Sequence, residues 1–269
     1  MFAKRGASHF LKTASRFSYS KGPNFKINSS YNRAYSTATD QDESSEDKSR
    51  YGQFGKYVPI AGIFFLASVL QLTKKADNCG IVGVVGSDDA SGFLLEGLTI
   101  LRNRGYDSAG IASISKDGTE LYVTKYASRD TTSDSIDLVR AHAAPHIGHG
   151  IGIAHTRWAT HGGKTDENAH PHFDAKHRVA VVHNGTINNS YDLKKELQAQ
   201  GIKFTSETDT EVIAQLIGVY LDQGHDTKTA IEYALARCDG SWGLAVVSKN
   251  NPHEIVVACN GSPMVCLID

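Results

Sequence analysis

Cysteine is scarce in this chain, with four among 269 residues. Besides Cys79, only Cys238, Cys259 and Cys266 are present, and their spacing matches neither a zinc site nor a redox pair. We therefore interpret these three as core or edge thiols. A hydrophobic fraction of 40% and a net charge of -1 indicate only a protein with one core.

The sequence also lacks the patterns of a nucleic-acid-binding surface and of a phosphate or dinucleotide loop. Residues 79–269 carry sixteen basic and twenty-three acidic side chains, without a basic patch interleaved with aromatics. This composition argues against nucleic-acid binding. Gly80, Gly83 and Gly86 are not followed by the Lys-Ser/Thr ending of a phosphate loop, and the dinucleotide fingerprint is incomplete.

Histidine is concentrated in one segment. Half of the twelve histidines lie between His155 and His183. Zinc sites favour a helix-borne pair of histidines or closely spaced cysteine ligands. We therefore predict no metal in this segment.

Acidic residues are absent from residues 1–39, which contain seven basic side chains and many serines. This composition predicts a mitochondrial presequence, and a disordered basic tail is the alternative. The sequence at 33–36, Arg-Ala-Tyr-Ser, resembles a matrix-protease cleavage site. Residues 40–56 are acidic and polar without apolar periodicity, which predicts a disordered linker.

Charge is also absent from residues 57–73, where large apolar side chains surround a face of small residues. A helix of this length reaches about 25 Å, which suits a thin hydrocarbon core. We predict a transmembrane helix in the mitochondrial inner membrane, with a buried soluble helix as the alternative. Lys56 precedes the segment and Lys74 and Lys75 follow it, so the charges favour neither orientation.

The remainder of the chain alternates short apolar runs with amphipathic segments, which indicates an α+β domain. The predicted strands are 81–85, 150–154, 179–182, 243–248 and 254–258. The predicted helices are 92–104, 192–200, 208–223 and 227–237. The segments His155-Thr156-Arg157-Trp158 and His183-Asn184-Gly185 then follow strand ends as loops.

Five motifs occur here in a specific order. They are Cys79-Gly80-Ile81-Val82-Gly83, Arg104-Gly105-Tyr106-Asp107-Ser108-Ala109-Gly110, His155-Thr156-Arg157-Trp158-Ala159-Thr160-His161-Gly162-Gly163-Lys164, Val182-His183-Asn184-Gly185 and Ser206-Glu207-Thr208-Asp209-Thr210. With them, residues 79–269 resemble the class II glutaminase domain of the glutamine-fructose-6-phosphate aminotransferase family, whose members are N-terminal nucleophile hydrolases. The resemblance implies a four-layer αββα sandwich, glutamine as substrate and no cofactor.

The resemblance also implies the catalytic and substrate-binding roles. Cys79 is the expected nucleophile, and the Asn184 side chain with the Gly185 N–H is the expected oxyanion hole. Arg157 is expected to bind the glutamine α-carboxylate and Asp209 the α-ammonium.

Further roles follow from the same resemblance. Thr160 and His161 are expected to line the pocket, Trp158 to gate the exit of ammonia, and Arg104 to support the nucleophile loop. The expected general base is the α-amino group of Cys79, which exists only if the chain is cut between Asn78 and Cys79.

Two hypotheses follow. In the first, the domain is cut before Cys79 and supplies ammonia from glutamine to a separate synthase, since the isomerase domains of the family are absent here. In the second, it is an uncut, catalytically silent accessory subunit of an inner-membrane complex, anchored by residues 57–73. We also expect the domain to be C-terminally short, so that the second sheet lacks strands and has an uncovered edge.

Overall fold

The computed structural model describes residues 14–18, 79–105, 107–130, 134–159, 162–262 and 265, with 14–18 and Arg104 described through their backbone alone. The predicted linker 40–56 and the predicted transmembrane helix 57–73 lie outside the described residues. So does the predicted presequence 1–39, apart from 14–18. Within the described part, no helix is long and apolar enough to cross a membrane.

Nine strands and five α-helices are described. The strands are β1 (Ala14–Ser18), β2 (Gly80–Val85), β3 (Ser108–Ile114), β4 (Leu121–Ala127), β5 (Ile151–Arg157), β6 (His172–Phe173), β7 (Val179–Ile187), β8 (Gly240–Ser248) and β9 (Asn251–Asn260). The helices are α1 (Ala90–Ile100), α2 (Ser135–Ala141), α3 (Ser190–Ala199), α4 (Asp209–Asp222) and α5 (Thr227–Ala236). Two 3₁₀ turns, Leu101–Arg104 and Ala144–His146, complete the described elements.

The strands form two antiparallel sheets. One has the order β2-β5-β3-β4, and the other has the order β1-β9-β8-β7-β6. In the first sheet Gly80 pairs with Thr156, so the start of β2 lies beside the end of β5. In the second, Asn184 pairs with Gly243 and Gly185 with Trp242.

Both faces of the central strands are buried, and alternate side chains contact different layers. In β7, Val179 and Val181 pack against helices, whereas Ala180 and Val182 pack against the other sheet. Such strands appear in the sequence as continuous apolar runs because neither face meets water.

Helices cover the outer face of each sheet. The second sheet packs against α3, α4 and α5, and the first sheet packs against α1 and α2. A third cluster of buried side chains, which includes Ile114, Ile153 and Val247, lies between the two sheets. The packing order is therefore helices, sheet, sheet, helices, and the prediction of an α+β domain with two sheets is confirmed.

The outer edge of β9 is covered in the uncut chain. β1 pairs antiparallel with β9 there, from Ala14 opposite Ala258 to Ser18 opposite Glu254. Unpaired backbone N–H and C=O groups on a sheet edge can form hydrogen bonds with another chain segment. Here residues 14–18, within the predicted presequence, form them with β9.

Candidate active site

Cys79 immediately precedes β2 and is held against the end of β5. The backbone N–H of Trp158 donates to the Cys79 sulfur at 3.2 Å, and the sulfur lies 3.7 Å from the Trp158 carbonyl oxygen. The next residue, Gly80, donates its N–H to Thr156 Oγ1 at 3.2 Å. A Cβ at Gly80 would lie 2.8 Å from a Leu101 side-chain atom, so only glycine permits this close approach.

The thiol lies in a partly dehydrated environment. Burial raises the pKa of Cys79 above its ordinary value, and the Trp158 hydrogen bond and the Arg157 charge oppose that effect. A buried neutral thiol is a weak nucleophile, and it needs a base to remove its proton.

Asn184 and Gly185 lie within β7, on the strand that faces the nucleophile. The Asn184 carboxamide donates from Nδ2 to the Cys79 carbonyl oxygen at 2.8 Å. Gly185 has φ of 141°, and a Cβ there would lie 2.1 Å from the Ser241 carbonyl oxygen. No other residue type fits this position without separating β7 from β8.

The prediction that β7 ends at Val182 was wrong. The strand continues to Ile187 because β8 pairs with it along its whole length. The prediction that β5 ends at Ala154 was wrong for a similar reason, since β5 pairs with β2 through Thr156 and with β3 through Arg157. Except for Trp158, the expected loop residues therefore lie on strands, which hold them more rigidly than loops would.

Arg157 is the last residue of β5 and its guanidinium is almost fully buried. Its Nη1 and Nη2 atoms donate to the carbonyl oxygens of Gly163 and Gly162 at 3.3 and 3.4 Å. Burial lowers the pKa of Arg157, while Coulomb interactions with the thiolate form of Cys79 and with Asp107 and Asp209 oppose that shift. The guanidinium remains a fixed cation beside the nucleophile.

Asp209 is the first residue of α4 and is buried. Its Oδ2 atom accepts the Ile187 N–H at 2.8 Å, which ties the start of the helix to the end of β7. The amino end of a helix favours a negative side chain. Asp209 is therefore a fixed anion close to the fixed cation of Arg157.

One open pocket, with about 300 Å³ of empty space, brings these groups together. Its lining includes five residues selected from the sequence, namely Cys79, Arg157, Trp158, Gly185 and Asp209. Asn184 contacts Cys79 from β7, which belongs to the other sheet.

The remaining selected residues have no described side chain. Thr160 and His161 lie outside the described residues, and Arg104 is described only as the end of a 3₁₀ turn. The adjoining Gly105 packs so tightly on β5 that a Cβ there would lie 2.8 Å from the backbone carbons of Thr156 and Arg157.

Comparison with known proteins gives the family. Residues 155–262 match the family model described as a glutamine amidotransferase domain. The chain carries a class II glutamine amidotransferase domain.

Curated relatives of the amidotransferase domain are much longer than this chain. The glutamine–fructose-6-phosphate aminotransferase of Pseudomonas putida is 44% identical over 187 residues, which is 70% of this chain and 30% of that protein. The enzyme of the same name from Escherichia coli K12 is 42% identical over 188 residues, covering 70% of this chain and 29% of that protein. The chain thus spans about three tenths of the length of these relatives.

Solved structures share the fold of the amidotransferase domain. A structure titled as the allosteric regulatory enzyme of purine biosynthesis has a TM-score of 0.55 and 28% identity, covering 67% of this chain and 37% of that one. The glutamine phosphoribosylpyrophosphate amidotransferase from B. subtilis has a TM-score of 0.52 and 25% identity, covering 66% and 41%.

Four further residues line the pocket of the amidotransferase domain and were not predicted to do so: His170, His183, Thr208 and Thr210. Thr210 Oγ1 lies 2.8 Å from His170 Nε2 and 3.0 Å from His183 Nδ1. His172 Nε2 lies 3.0 Å from Thr208 Oγ1. A signal for them is present in the sequence, because histidines crowd before Asn184 and both threonines belong to the motif that contains Asp209.

Three buried histidines beside the pocket, His155, His170 and His172, remain neutral. Burial lowers the pKa of His155 to about 3 and the pKa values of His170 and His172 well below their ordinary range. No group of three candidate metal ligands occurs within the described ranges of the chain. As neutral rings, they can each donate one hydrogen bond and accept another.

A polar network connects the Arg157 turn to the start of α4. Glu207 Oε2 accepts the Gly163 N–H and the Asn168 Nδ2–H, each at 3.2 Å. Asn168 also donates to the Gly163 carbonyl at 3.0 Å and accepts the Glu207 N–H at 2.8 Å. The network fixes the Gly163 carbonyl, one of the two that accept from the Arg157 guanidinium.

Proposed function

We propose that the amidotransferase domain hydrolyses glutamine to glutamate and ammonia, with Cys79 as the nucleophile. The observation that supports this most directly is the convergence of Cys79, Gly185, Arg157 and Asp209 on one pocket, with the Asn184 carboxamide on Cys79. A thiol, two hydrogen-bond donors, a cation and an anion are the groups that opening a free amino-acid carboxamide requires.

In the proposed reaction, the Cys79 thiolate attacks the carboxamide carbon of glutamine. The negative charge that develops on the carbonyl oxygen is stabilised by the Gly185 N–H and the Asn184 carboxamide. One N–H of Asn184 Nδ2 binds the Cys79 carbonyl, and the second remains for the oxyanion. Ammonia leaves with the proton taken from the thiol, and water then hydrolyses the thioester.

Substrate selection is assigned to the two fixed charges. Arg157 binds the α-carboxylate and Asp209 the α-ammonium, which selects free glutamine over a peptide-linked residue. Trp158 gates the exit of ammonia and Thr160 and His161 line the pocket. These last three roles rest on the family resemblance.

The general base is assigned to the α-amino group of Cys79, after cleavage between Asn78 and Cys79. An amine with an ordinary pKa near 8 can accept the thiol proton at neutral pH and return it to ammonia. Arg104, in the turn before Gly105, supports the nucleophile loop in this proposal.

We further propose that residues 1–39 direct the chain to mitochondria and that residues 57–73 place it in the inner membrane before cleavage. The partner is then a separate synthase that accepts ammonia, of the amino-sugar type or another. The composition of these segments supports this placement.

A catalytically silent accessory subunit is the second candidate. It is favoured by one observation, namely that 78 residues precede Cys79 in the sequence, so that its nitrogen lies in a peptide bond unless the chain is cut. An amide nitrogen cannot act as a base, and loss of general base catalysis costs a factor of about 100 to 10,000.

N-terminal sequencing of the endogenous protein distinguishes the two candidates. For the enzyme, we expect a mature chain that begins at Cys79 and is labelled by a glutamine-mimicking diazoketone. Cys79→Ala should abolish the labelling, whereas Cys259→Ala, a half-buried thiol on β9, should not. An endogenous chain that begins near Ser36, resists labelling and co-purifies with a membrane complex would support the accessory subunit instead.

A further inference from the structure

Three groups form a chain of hydrogen bonds that ends at the nucleophile. His155 Nε2 lies 2.8 Å from Asn184 Oδ1, and Asn184 Nδ2 donates to the Cys79 carbonyl oxygen at 2.8 Å. His155 is in the middle of β5 and is fully buried, so it does not line the pocket. It acts on the pocket only through its neighbours.

The geometry assigns a tautomer to His155. Asn184 Oδ1 is an acceptor and cannot donate, so the proton must be on His155 Nε2. The other ring nitrogen, Nδ1, is buried and makes no hydrogen bond of normal geometry in the described part of the chain, although the His183 backbone lies close to the ring. A proton on Nδ1 would instead leave two acceptors, Nε2 and Asn184 Oδ1, facing each other at 2.8 Å.

We infer that His155 is a positioning residue that fixes the Asn184 carboxamide with its NH₂ group toward Cys79. This inference rests on the proposed function, because it concerns the orientation of the proposed oxyanion donor. A primary carboxamide has two orientations of nearly equal shape, and rotation by half a turn exchanges its oxygen and nitrogen. The rotated form would direct a lone pair, instead of an N–H, at the developing negative charge.

The environment of His155 keeps this orientation constant. Burial lowers the pKa of the ring to about 3, so the neutral form persists throughout the neutral and mildly acidic range. The ring also stacks on His170 with the centroids 4.3 Å apart, which restricts its rotation. A rigid supporting group is what accurate placement of a catalytic donor requires.

Two substitutions of similar polarity test the inference on the mature chain that begins at Cys79. In His155→Gln the side-chain nitrogen lies as many bonds from the backbone as Nε2 and can still donate to Asn184. In His155→Asn the nitrogen takes the place of Nδ1 and falls short of it. We expect His155→Asn to lower kcat about 10- to 100-fold, less than the roughly 100- to 1,000-fold loss on removing an oxyanion donor.

The effect should fall on kcat, with the KM for glutamine changed less than threefold. His155→Gln should recover most of the lost activity. In an Asn184→Ala background, His155→Asn should cause no further loss, because its target is already absent. Binding of the aldehyde analogue of glutamine, which forms a tetrahedral adduct with Cys79, should weaken in parallel with kcat. Equal activity of the Gln and Asn variants, or additive losses in the double variant, would overturn the inference.

A measurement that needs no activity separates this inference from the proposed function. The ¹⁵N chemical shifts of His155 distinguish a protonated ring nitrogen from an unprotonated one, and the full-length uncut chain is suitable for it. We expect Nε2 to be protonated and Nδ1 to be unprotonated. A proton on Nδ1 would refute the positioning role even in an active enzyme. The expected tautomer in a mature chain without glutaminase activity would refute the proposed function alone.

Discussion

The backbone N–H of Trp158 donates to the Cys79 sulfur at 3.2 Å. Trp158 directly follows Arg157, so the strand that ends in the proposed carboxylate clamp also holds the nucleophile. Asp107 reinforces this arrangement from the neighbouring turn, since its Oδ2 atom accepts the Ala159 N–H at 2.8 Å. Displacement of Arg157 should therefore disturb the position of the Cys79 thiol, and displacement of Cys79 should disturb Arg157.

The first prediction concerns the acidity of the Cys79 thiol in the uncut chain. The positive charge of Arg157 lowers the pKa of Cys79 and the negative charge of Asp107 raises it, against the larger effect of burial. Arg157→Gln should therefore shift the pH midpoint of iodoacetamide alkylation upward, and Asp107→Asn should shift it downward. The Cys79→Ala variant supplies the background rate. Shifts of the same sign in both variants would contradict the assignment.

The second prediction concerns the conformation of Gly185. An added methyl group would meet the Ser241 carbonyl at a φ that L residues rarely adopt. Gly185→Ala should cost at least about 2 kcal/mol in the free energy of unfolding and should abolish activity. Gly83→Ala is the matched control on β2, because its added Cβ lies 3.4 Å from its nearest neighbour. Urea denaturation of both variants measures the difference.

The core elements that the sequence predicts are those with strong periodicity. The predicted helices 208–223 and 227–237 agree with α4 and α5 to within one residue at each end, because apolar side chains recur at helical spacing and glycine or a capping residue ends them. The strands around 81–85 and 243–248 are also found, with ends extended by pairing to neighbours.

The missed elements have weak local patterns. β3 consists largely of small residues, and it is a strand because β4 and β5 pair with its two edges. The short helix α2 was also missed. Pairing between distant segments is a tertiary effect that periodicity cannot show. The candidate site was selected from motifs, whereas the support that His155 gives Asn184 depends on two strands of different sheets lying side by side.

The third prediction concerns stability in acid. Burial lowers the pKa of His146 from 6.5 to about 4, with a smaller effect from His149. Between pH 6.5 and pH 4 the unfolded chain therefore binds a proton at His146 that the folded chain does not bind. The free energy of unfolding consequently falls as the pH falls through this range. Each pKa unit corresponds to about 1.4 kcal/mol, so His146 alone accounts for about 3 kcal/mol of this loss.

His146→Asn tests that contribution. The asparagine amide can occupy the position of Nδ1, which lies 2.7 Å from Ser113 Oγ, but it does not titrate. The unfolding free energy of the variant should therefore decrease less than that of the wild type between pH 6.5 and pH 4. Urea denaturation at several pH values gives both curves. Parallel curves would show that His146 is not responsible.

The fourth prediction concerns substrate selection by Asp209 and requires the mature chain. Asp209→Asn retains an oxygen for the Ile187 N–H but removes the charge that we assign to the α-ammonium. The KM for glutamine should rise about 10- to 100-fold, the usual cost of losing a hydrogen bond to a charged group, with a smaller change in kcat. The monoamide of glutaric acid lacks the α-amino group, and its KM should be nearly the same for variant and wild type.

Arg157→Gln should show the converse, with a raised KM for glutamine and little change for 4-aminobutanamide, which lacks the carboxylate. If each variant affected glutamine and its truncated analogue equally, the two charges would act on the pocket as a whole, and the separate recognition of carboxylate and ammonium would be refuted.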